Sequence, residues 1–188
     1  MVGFGQRYEM NTVHAGTAEI VIAGKLVFKG PAQFGKDYFL FVGHNAILEF
    51  GYMAGIASDS KIICSKKIVL GNYARAGSEC FITDTDFHPM LNTITGEKRE
   101  MQKPIILGNY NYIGTRVFIG KGTITPDYCT VASNSHCNKD YSSLGQNVLI
   151  AGIPAQLITN NISRDWEGEK SFLISCLKKL ICKCLIIK

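Results

Sequence analysis

Residues 107–120 read Leu-Gly-Asn-Tyr-Asn-Tyr-Ile-Gly-Thr-Arg-Val-Phe-Ile-Gly, and an aliphatic residue followed by glycine recurs every six positions, at Leu107, Ile113 and Ile119. An α-helix repeats every 3.6 residues, so it does not produce this period. A chain that turns a corner every six residues does, because each short strand points an apolar side chain inwards and a tiny residue permits the bend. The stretch therefore predicts a solenoid of short strands.

The same period runs through most of the chain, with two short slips. The other predicted inward positions are Ile22, Phe28, Phe34, Leu40, Ala46, Phe50, Ile56, Ile62, Leu70, Ala76, Ile82, His88, Thr125, Val131 and Cys137. Small residues recur four positions after an inward residue, and Cys80 and Cys129 are interpreted as two of them rather than as ligands. Stacked coils of three strands bury a continuous core, so we predict an all-β solenoid, a parallel β-helix. The alternative is a glycine-rich β-sandwich.

The bulk composition fits one globular domain followed by a short tail. The chain has 188 residues, 19% charged residues, 19 glycines and 5 prolines, which excludes disorder and collagen. Residues 1–16 lack a signal-peptide pattern, so the seven cysteines indicate reduced thiols and a cytoplasmic protein. We expect a β-helix domain over residues 1–160, and a linker with an amphipathic helix over 161–188.

The net charge of +5 is concentrated in the tail, where residues 171–188 contain four lysines and no acid. The nearly neutral body shows no basic stripe of the kind that nucleic-acid binders carry, so no nucleic acid is expected as a partner. In the predicted helix a narrow polar stripe interrupts an otherwise apolar surface. Such a helix either caps the solenoid or packs within an oligomer, or it makes a peripheral contact with the inner face of the cytoplasmic membrane.

The segment Asp84-Thr85-Asp86-Phe87-His88-Pro89 carries the candidate chemistry. Histidine can take and return a proton near neutral pH, and in a strand residues 84, 86 and 88 would share one face. Either aspartate is then a candidate to orient the imidazole or to bind an acceptor's hydroxyls. A strict count of six would bury His88, but a polar loop over residues 89–104, with a turn at Thr95-Gly96, predicts a local break. The alternative is a solvated turn with an incidental histidine.

Three motifs in this order resemble the hexapeptide-repeat acyltransferases: DTDFHP at 84–89, LGNYNYIGTRVFIG at 107–120 and AGIPAQLI at 151–158. The resemblance covers about residues 20–160. It is nearest to sugar O-acetyltransferases of the maltose and galactoside acetyltransferase type and their capsule- and O-antigen-modifying relatives. It implies a left-handed β-helix, a homotrimer, acetyl-CoA bound between subunits, and His88 as the catalytic base. The loop over residues 89–104 would help to form the active site of a neighbouring subunit.

The resemblance also implies which residues hold the coenzyme. The backbone around Gly114 and Thr115, and around Ala132 and Ser133, would bind the pantetheine arm. Lys139, in Asn138-Lys139-Asp140 where the family often has Thr-Lys-Asp, would pair with a coenzyme phosphate, unless it is simply a solvated surface lysine. Ile153 and Pro154 would contact adenine, although Ile153 replaces the asparagine of the family's Gly-Asn-Pro-Ala.

The expected activity is therefore direct transfer of an acetyl group from acetyl-CoA to a sugar hydroxyl, with His88 as general base and no metal. The serious competitor is N-acetylation of an amino sugar or another small amine, which uses the same fold and base. A zinc hydratase of the γ-carbonic anhydrase type would need three ligating histidines, and the chain's four histidines lack its close pair. A non-catalytic solenoid would show flat rows of threonine and no loop beside the histidine.

Overall fold

The structure is a computed structural model that describes residues 2–4, 17–169 and 171. The helix predicted over 171–188 and its membrane contact lie outside the described residues, apart from Ser171. Among the described residues no helix is long and apolar enough to cross a membrane.

The described chain contains eighteen short strands. They are β1 (Val2–Gly3), β2 (Glu19–Ile22), β3 (Lys25–Phe28), β4 (Ala32–Phe34), β5 (Phe39–Val42), β6 (Ile47–Phe50), β7 (Gly55–Ile56), β8 (Lys61–Cys64), β9 (Lys67–Leu70), β10 (Arg75–Ala76), β11 (Phe81–Thr83), β12 (Ile105–Leu107), β13 (Tyr112–Ile113), β14 (Phe118–Ile119), β15 (Thr130–Val131), β16 (His136–Cys137), β17 (Val148–Gly152) and β18 (Ala155–Asn160). A short 3-10 helix spans Ser142–Leu144, and residues 166–169 are helical.

The strands form three sheets that wrap around one core. Sheet A has the order β1-β4-β7-β10-β13-β15-β17-β18, sheet B the order β16-β14-β11-β8-β5-β2, and sheet C the order β12-β9-β6-β3. Every neighbouring pair is parallel except β17 and β18, where the chain turns back and ends the parallel ladder. The chain visits the sheets in rotation, which makes a left-handed parallel β-helix of about six coils, as predicted.

The inward positions counted from the sequence form the core. Fifteen of them are at most 5% exposed: Phe34, Leu40, Ala46, Phe50, Ile56, Ile62, Leu70, Ala76, Ile82, Leu107, Ile113, Ile119, Thr125, Val131 and Cys137. The exceptions are Ile22 and Phe28, on the first coil, and His88. The four-residue strands β5, β6, β8 and β9 of sheets B and C bury two side chains each, such as Leu48 and Phe50 in β6.

The cysteines of the solenoid are core residues. Cys64, Cys80, Cys129 and Cys137 are all buried and free. Burial raises the pKa of the Cys129 thiol to about 12, because the interior does not solvate a thiolate. This confirms that Cys80 and Cys129 serve as small interior side chains.

The corners are tight because each coil lies directly against the next. A Cβ atom built on Gly108 would lie 2.5 Å from the carbonyl oxygen of Pro126, one coil further on. At the same corner Tyr73, Tyr110 and Tyr128 hold left-handed φ angles of 58°, 54° and 56°. The ring centroids of Tyr110 and Tyr128 lie 4.8 Å apart with planes 3° from parallel, so stacking accompanies this backbone conformation.

We predict that Gly108→Ala lowers the free energy of unfolding by about 1–3 kcal/mol, since the new methyl group overlaps backbone that cannot retreat. Gly43→Ala is the matched control, because its Cβ would lie no closer than 3.4 Å to its nearest neighbour, in Phe41. It should stay within about 0.5 kcal/mol of the wild type. Urea unfolding followed by circular dichroism measures both. Equal effects would contradict the close approach at Gly108.

Candidate active site

The chain leaves the solenoid after β11 and returns at β12, and the intervening residues pair with each other as an antiparallel ribbon. Thr85 pairs with Gln102 and Leu91 pairs with Lys98. The tip turns at Gly96, whose φ is 72°, which confirms the turn predicted there. The ribbon thus begins at Thr85, four residues earlier than the loop predicted over 89–104. The reason is that residues 85 and 102 pair with each other instead of continuing sheet B.

Asp84 supplies hydrogen-bond acceptors at the point where the chain leaves the solenoid. Its side chain is fully buried, and its carboxylate accepts hydrogen bonds from the backbone N–H groups of Ser65, Lys66 and Lys67, each at 2.7 Å. These donors form the corner of the preceding coil, above the point where the chain departs. The carboxylate replaces the missing backbone acceptors, so Asp84 anchors the ribbon's base.

Asp86 is exposed and pairs with Lys121, a residue of the next coil. The Lys121 ammonium also donates a hydrogen bond to the carbonyl oxygen of Glu100 at 2.6 Å, on the opposite side of the ribbon. From the other side, the Lys66 ammonium lies 2.8 Å from the Glu100 carboxylate. Lysines from the coils on either side therefore hold both strands of the ribbon at its base.

His88 is exposed at this base. The expectation that residues 84, 86 and 88 share one strand face is wrong: Asp84 points into the protein, whereas Asp86 and His88 lie outside it. The alternation fails because Phe87 has a left-handed φ of 61°, held by a hydrogen bond from its N–H to the Thr85 hydroxyl at 3.0 Å. Among the described residues neither aspartate contacts the imidazole. The local break expected at His88 is confirmed.

The predicted coenzyme residues stack at the corner between sheets A and B. Gly114 and Thr115 lie on one coil, and Ala132 and Ser133 on the next, since the Thr115 N–H donates to the Ser133 hydroxyl at 3.1 Å. A Cβ on Gly114 would lie 2.6 Å from the Ser133 nitrogen, so only glycine fits there. This corner offers exposed backbone with very small side chains, which suits close approach by an extended, amide-containing ligand.

The two predicted adenine contacts, Ile153 and Pro154, lie near the same corner, whereas Lys139, the predicted phosphate contact, does not. Ile153 follows β17, the strand that pairs with β15 just before Ala132 and Ser133; it is 75% exposed, and Pro154 beside it is also exposed. Lys139 follows β16 and is exposed at the other end of sheet B, with its ammonium 5.4 Å from the centre of the Tyr141 ring. That end is the corner that carries Lys121 and the ribbon.

Sequence reasoning missed Lys121, Lys66 and Glu100, the residues that hold the ribbon. Lys121 offered one signal, its place between two glycines at a predicted corner. The pKa of the Glu100 carboxyl is lowered, because Lys66 donates a hydrogen bond to it and lies beside it as a positive charge. Together these residues make a polar edge with an accessible imidazole, which can take a proton from a bound hydroxyl or amine.

We predict that Asp84→Ala lowers the free energy of unfolding by about 3 kcal/mol, because the substitution leaves three buried N–H groups without their acceptor. Asp86→Ala is the matched control. Its carboxylate is partly exposed, so its pair with Lys121 should contribute less than about 1 kcal/mol. Urea unfolding compares the two variants, and an Asp84→Ala effect no larger than that of Asp86→Ala would contradict the anchoring role.

Comparison with known proteins finds similar solved structures but no matching family model or curated sequence. Among solved structures, the polySia-specific acetyltransferase NeuO has a TM-score of 0.61 and 16% identity, over 95% of this chain and 94% of its own. A mutant of AntD, an N-acyltransferase from Bacillus cereus in complex with dTDP and coenzyme A, has a TM-score of 0.66 and 19% identity, over 93% of this chain and 90% of its own.

A third structure is similar over a shorter range. It is a hexapeptide-repeat-containing acetyltransferase from Vibrio cholerae O1 biovar eltor complexed with acetyl coenzyme A, with a TM-score of 0.50 and 20% identity over 60% of each chain. Identities at this level establish the fold alone. The protein therefore has the left-handed β-helix fold of the hexapeptide-repeat acetyltransferases.

Proposed function

We propose that this protein is an acetyltransferase that moves an acetyl group from acetyl-CoA to a hydroxyl of a sugar, in a cell-surface polysaccharide or its precursor, with His88 as general base. The observation that carries the proposal is the exposed imidazole at the base of the ribbon, at one end of sheet B, with the stacked glycine and alanine corner at its other end. The fold is shared with acetyltransferases, one of which holds acetyl-CoA.

The reaction needs one base and no covalent intermediate. His88 takes the proton of the acceptor hydroxyl as its oxygen attacks the thioester carbonyl. The tetrahedral intermediate then breaks its carbon–sulfur bond, and the imidazolium returns the proton to the leaving sulfur, so coenzyme A departs as the thiol. The buried thiols of the solenoid take no part, because their raised pKa keeps them protonated inside the core.

Asp84 and Asp86 belong in this proposal as positioning residues. Asp84 fixes the point at which the chain leaves the solenoid, and Asp86 ties the ribbon to Lys121. Both hold the backbone that carries His88, which lies four residues after Asp84 and two residues after Asp86. Their substitution should therefore change the placement of the base.

For the coenzyme, the corner with Gly114, Thr115, Ala132 and Ser133 would take the pantetheine amides, and Ile153 with Pro154 would cover adenine. Lys139 would pair with a phosphate. Because this corner and the ribbon lie at opposite ends of sheet B, a cleft between subunits would bring one subunit's corner to its neighbour's ribbon. We therefore propose a homotrimer, and half-buried Phe39, Phe81 and Phe118 on the outer face of sheet B offer apolar surface for its interface.

N-acetylation of an amino sugar is the second candidate. The structure with the higher of the two full-length TM-scores is an N-acyltransferase, and an exposed histidine can deprotonate an ammonium as well as a hydroxyl. Acetyl-CoA turnover with matched sugars and amino sugars, such as glucose against glucosamine, separates the two candidates. Selective transfer to the amine would replace the O-acetyltransferase proposal.

We predict that His88→Ala lowers kcat by about 10²- to 10⁴-fold, the usual contribution of a general base, and leaves the fold intact because the side chain is exposed. His44→Ala is the matched control, since His44 is exposed at the same corner of an earlier coil. Release of coenzyme A thiol at saturating acetyl-CoA measures both. Equal turnover of His88→Ala and the wild type would refute the assignment.

We predict that Lys139→Ala raises the KM for acetyl-CoA and leaves kcat nearly unchanged, because a charge on a remote phosphate binds ground state and transition state alike. Lys25→Ala, at an exposed lysine of the first coil, should change neither constant. An unchanged KM for acetyl-CoA in Lys139→Ala would show that Lys139 is a solvated surface lysine that does not bind the coenzyme.

A further inference from the structure

A groove of about 650 Å³ lies between the ribbon and the solenoid, and it begins two residues from His88. That volume is within the usual range for small-ligand sites. Its charged lining consists of four cations and three carboxylates: Lys98, Arg99, Lys103, Lys121, Asp86, Glu97 and Glu100. Nothing in the mechanism above uses this groove beyond Asp86 and its partner Lys121.

The charges of the groove do not balance once the ion pairs are counted. Asp86 is paired with Lys121, and Glu100 is paired with Lys66, which lies outside the groove. Within the described part of the chain, Lys98, Arg99 and Lys103 form no ion pair, and Glu97 is the remaining carboxylate. The groove therefore presents three cations against one anion.

Four consecutive coils each place a lysine at the corner that carries the ribbon: Lys66, Lys103, Lys121 and Lys139. Lys66 and Lys121 are paired with Glu100 and Asp86, and Lys103 already lines the groove, so Lys139 is the cation that this column adds. Successive coils are about 4.8 Å apart, and like charges at neighbouring positions destabilise a sheet. The described residues as a whole carry 14 Lys and Arg against 14 Asp and Glu, so this corner is richer in cations than the described chain on average. A bound anion would offset the repulsion at this corner.

We propose that this groove binds an acidic group of the sugar acceptor, a carboxylate or a phosphate, and that Arg99 and Lys103 are the residues that recognise it. Arg99 offers a planar guanidinium that matches either group, and Lys103 supplies a second charge at the ribbon's return to the solenoid. The inference rests on the proposed acetyl transfer and extends it, since it names the acceptor class as acidic sugars. It also explains why the base lies beside a charged ribbon.

The test compares acceptors that differ only in their charge: methyl glucuronide against methyl glucoside, and glucose 6-phosphate against glucose. We expect kcat/KM to favour at least one acid over its neutral partner by about 10-fold or more, as a charge-assisted hydrogen bond allows. Arg99→Gln with Lys103→Gln should abolish that preference and leave the KM for acetyl-CoA unchanged. Lys25→Gln, at an exposed lysine on the first coil, is the matched control.

Three results would overturn the proposal: neutral sugars used as well as both acids, an acid preference that survives the double variant, or a double variant that raises the KM for acetyl-CoA. The last result would assign these cations to a coenzyme phosphate. Binding of methyl glucuronide and glucose 6-phosphate to the full chain is measured by ligand-observed NMR. This measurement distinguishes failure of the acid site from failure of the proposed acetyl transfer. Acid binding that needs Arg99 and Lys103 without any acetyl transfer would refute the proposed function and retain the groove as an acid site.

Discussion

The structure depends on one constraint, the stacking of each coil directly on the next through parallel backbone hydrogen bonds. The N–H of Gly114 donates to the carbonyl of Val131 at 2.8 Å, and the N–H of Ala132 donates to that of Ile150 at 2.9 Å, one coil further on. This spacing forces tiny residues into the corners, buries rows of side chains from every sheet, and leaves little room for variation along the axis. The six-residue period of the sequence is the direct consequence.

The constraint is broken at one place within the ladder, and the candidate active site lies there. Where the chain departs into the ribbon, the corner of the preceding coil loses its backbone acceptors, and a buried N–H without a partner is costly. Asp84 supplies a carboxylate in their place. The solenoid thus remains closed while Asp86, Phe87 and His88 are free to adopt a conformation that the repeat would forbid. The proposed base lies where the repeat is interrupted, because the other corners leave little freedom for a side chain to be positioned outside the core.

The two ends of sheet B differ in their side chains and in their charge. One end has small side chains and exposed backbone, at Gly114 and Ser133, and suits a long ligand that binds through amides. The other end carries the lysine column, the ribbon and the histidine, and suits a polar acceptor. A single solenoid keeps these ends apart across the width of sheet B, which is why the proposed site lies between subunits.

Sequence alone determined the solenoid, its inward residues and the break at His88, because a period of six and an interrupting polar loop are local properties of the chain. It also located the small residues around Gly114 and Ala132, although their alignment in one stack required the coils to be in register. The partners of the aspartates could not be predicted. Asp84 bonds to residues 65–67 and Asp86 to Lys121, and these contacts join positions that are 17 to 35 residues apart in the chain. They exist only because the length of each coil and the departure of the ribbon bring those positions to one corner, and that is decided by the tertiary structure.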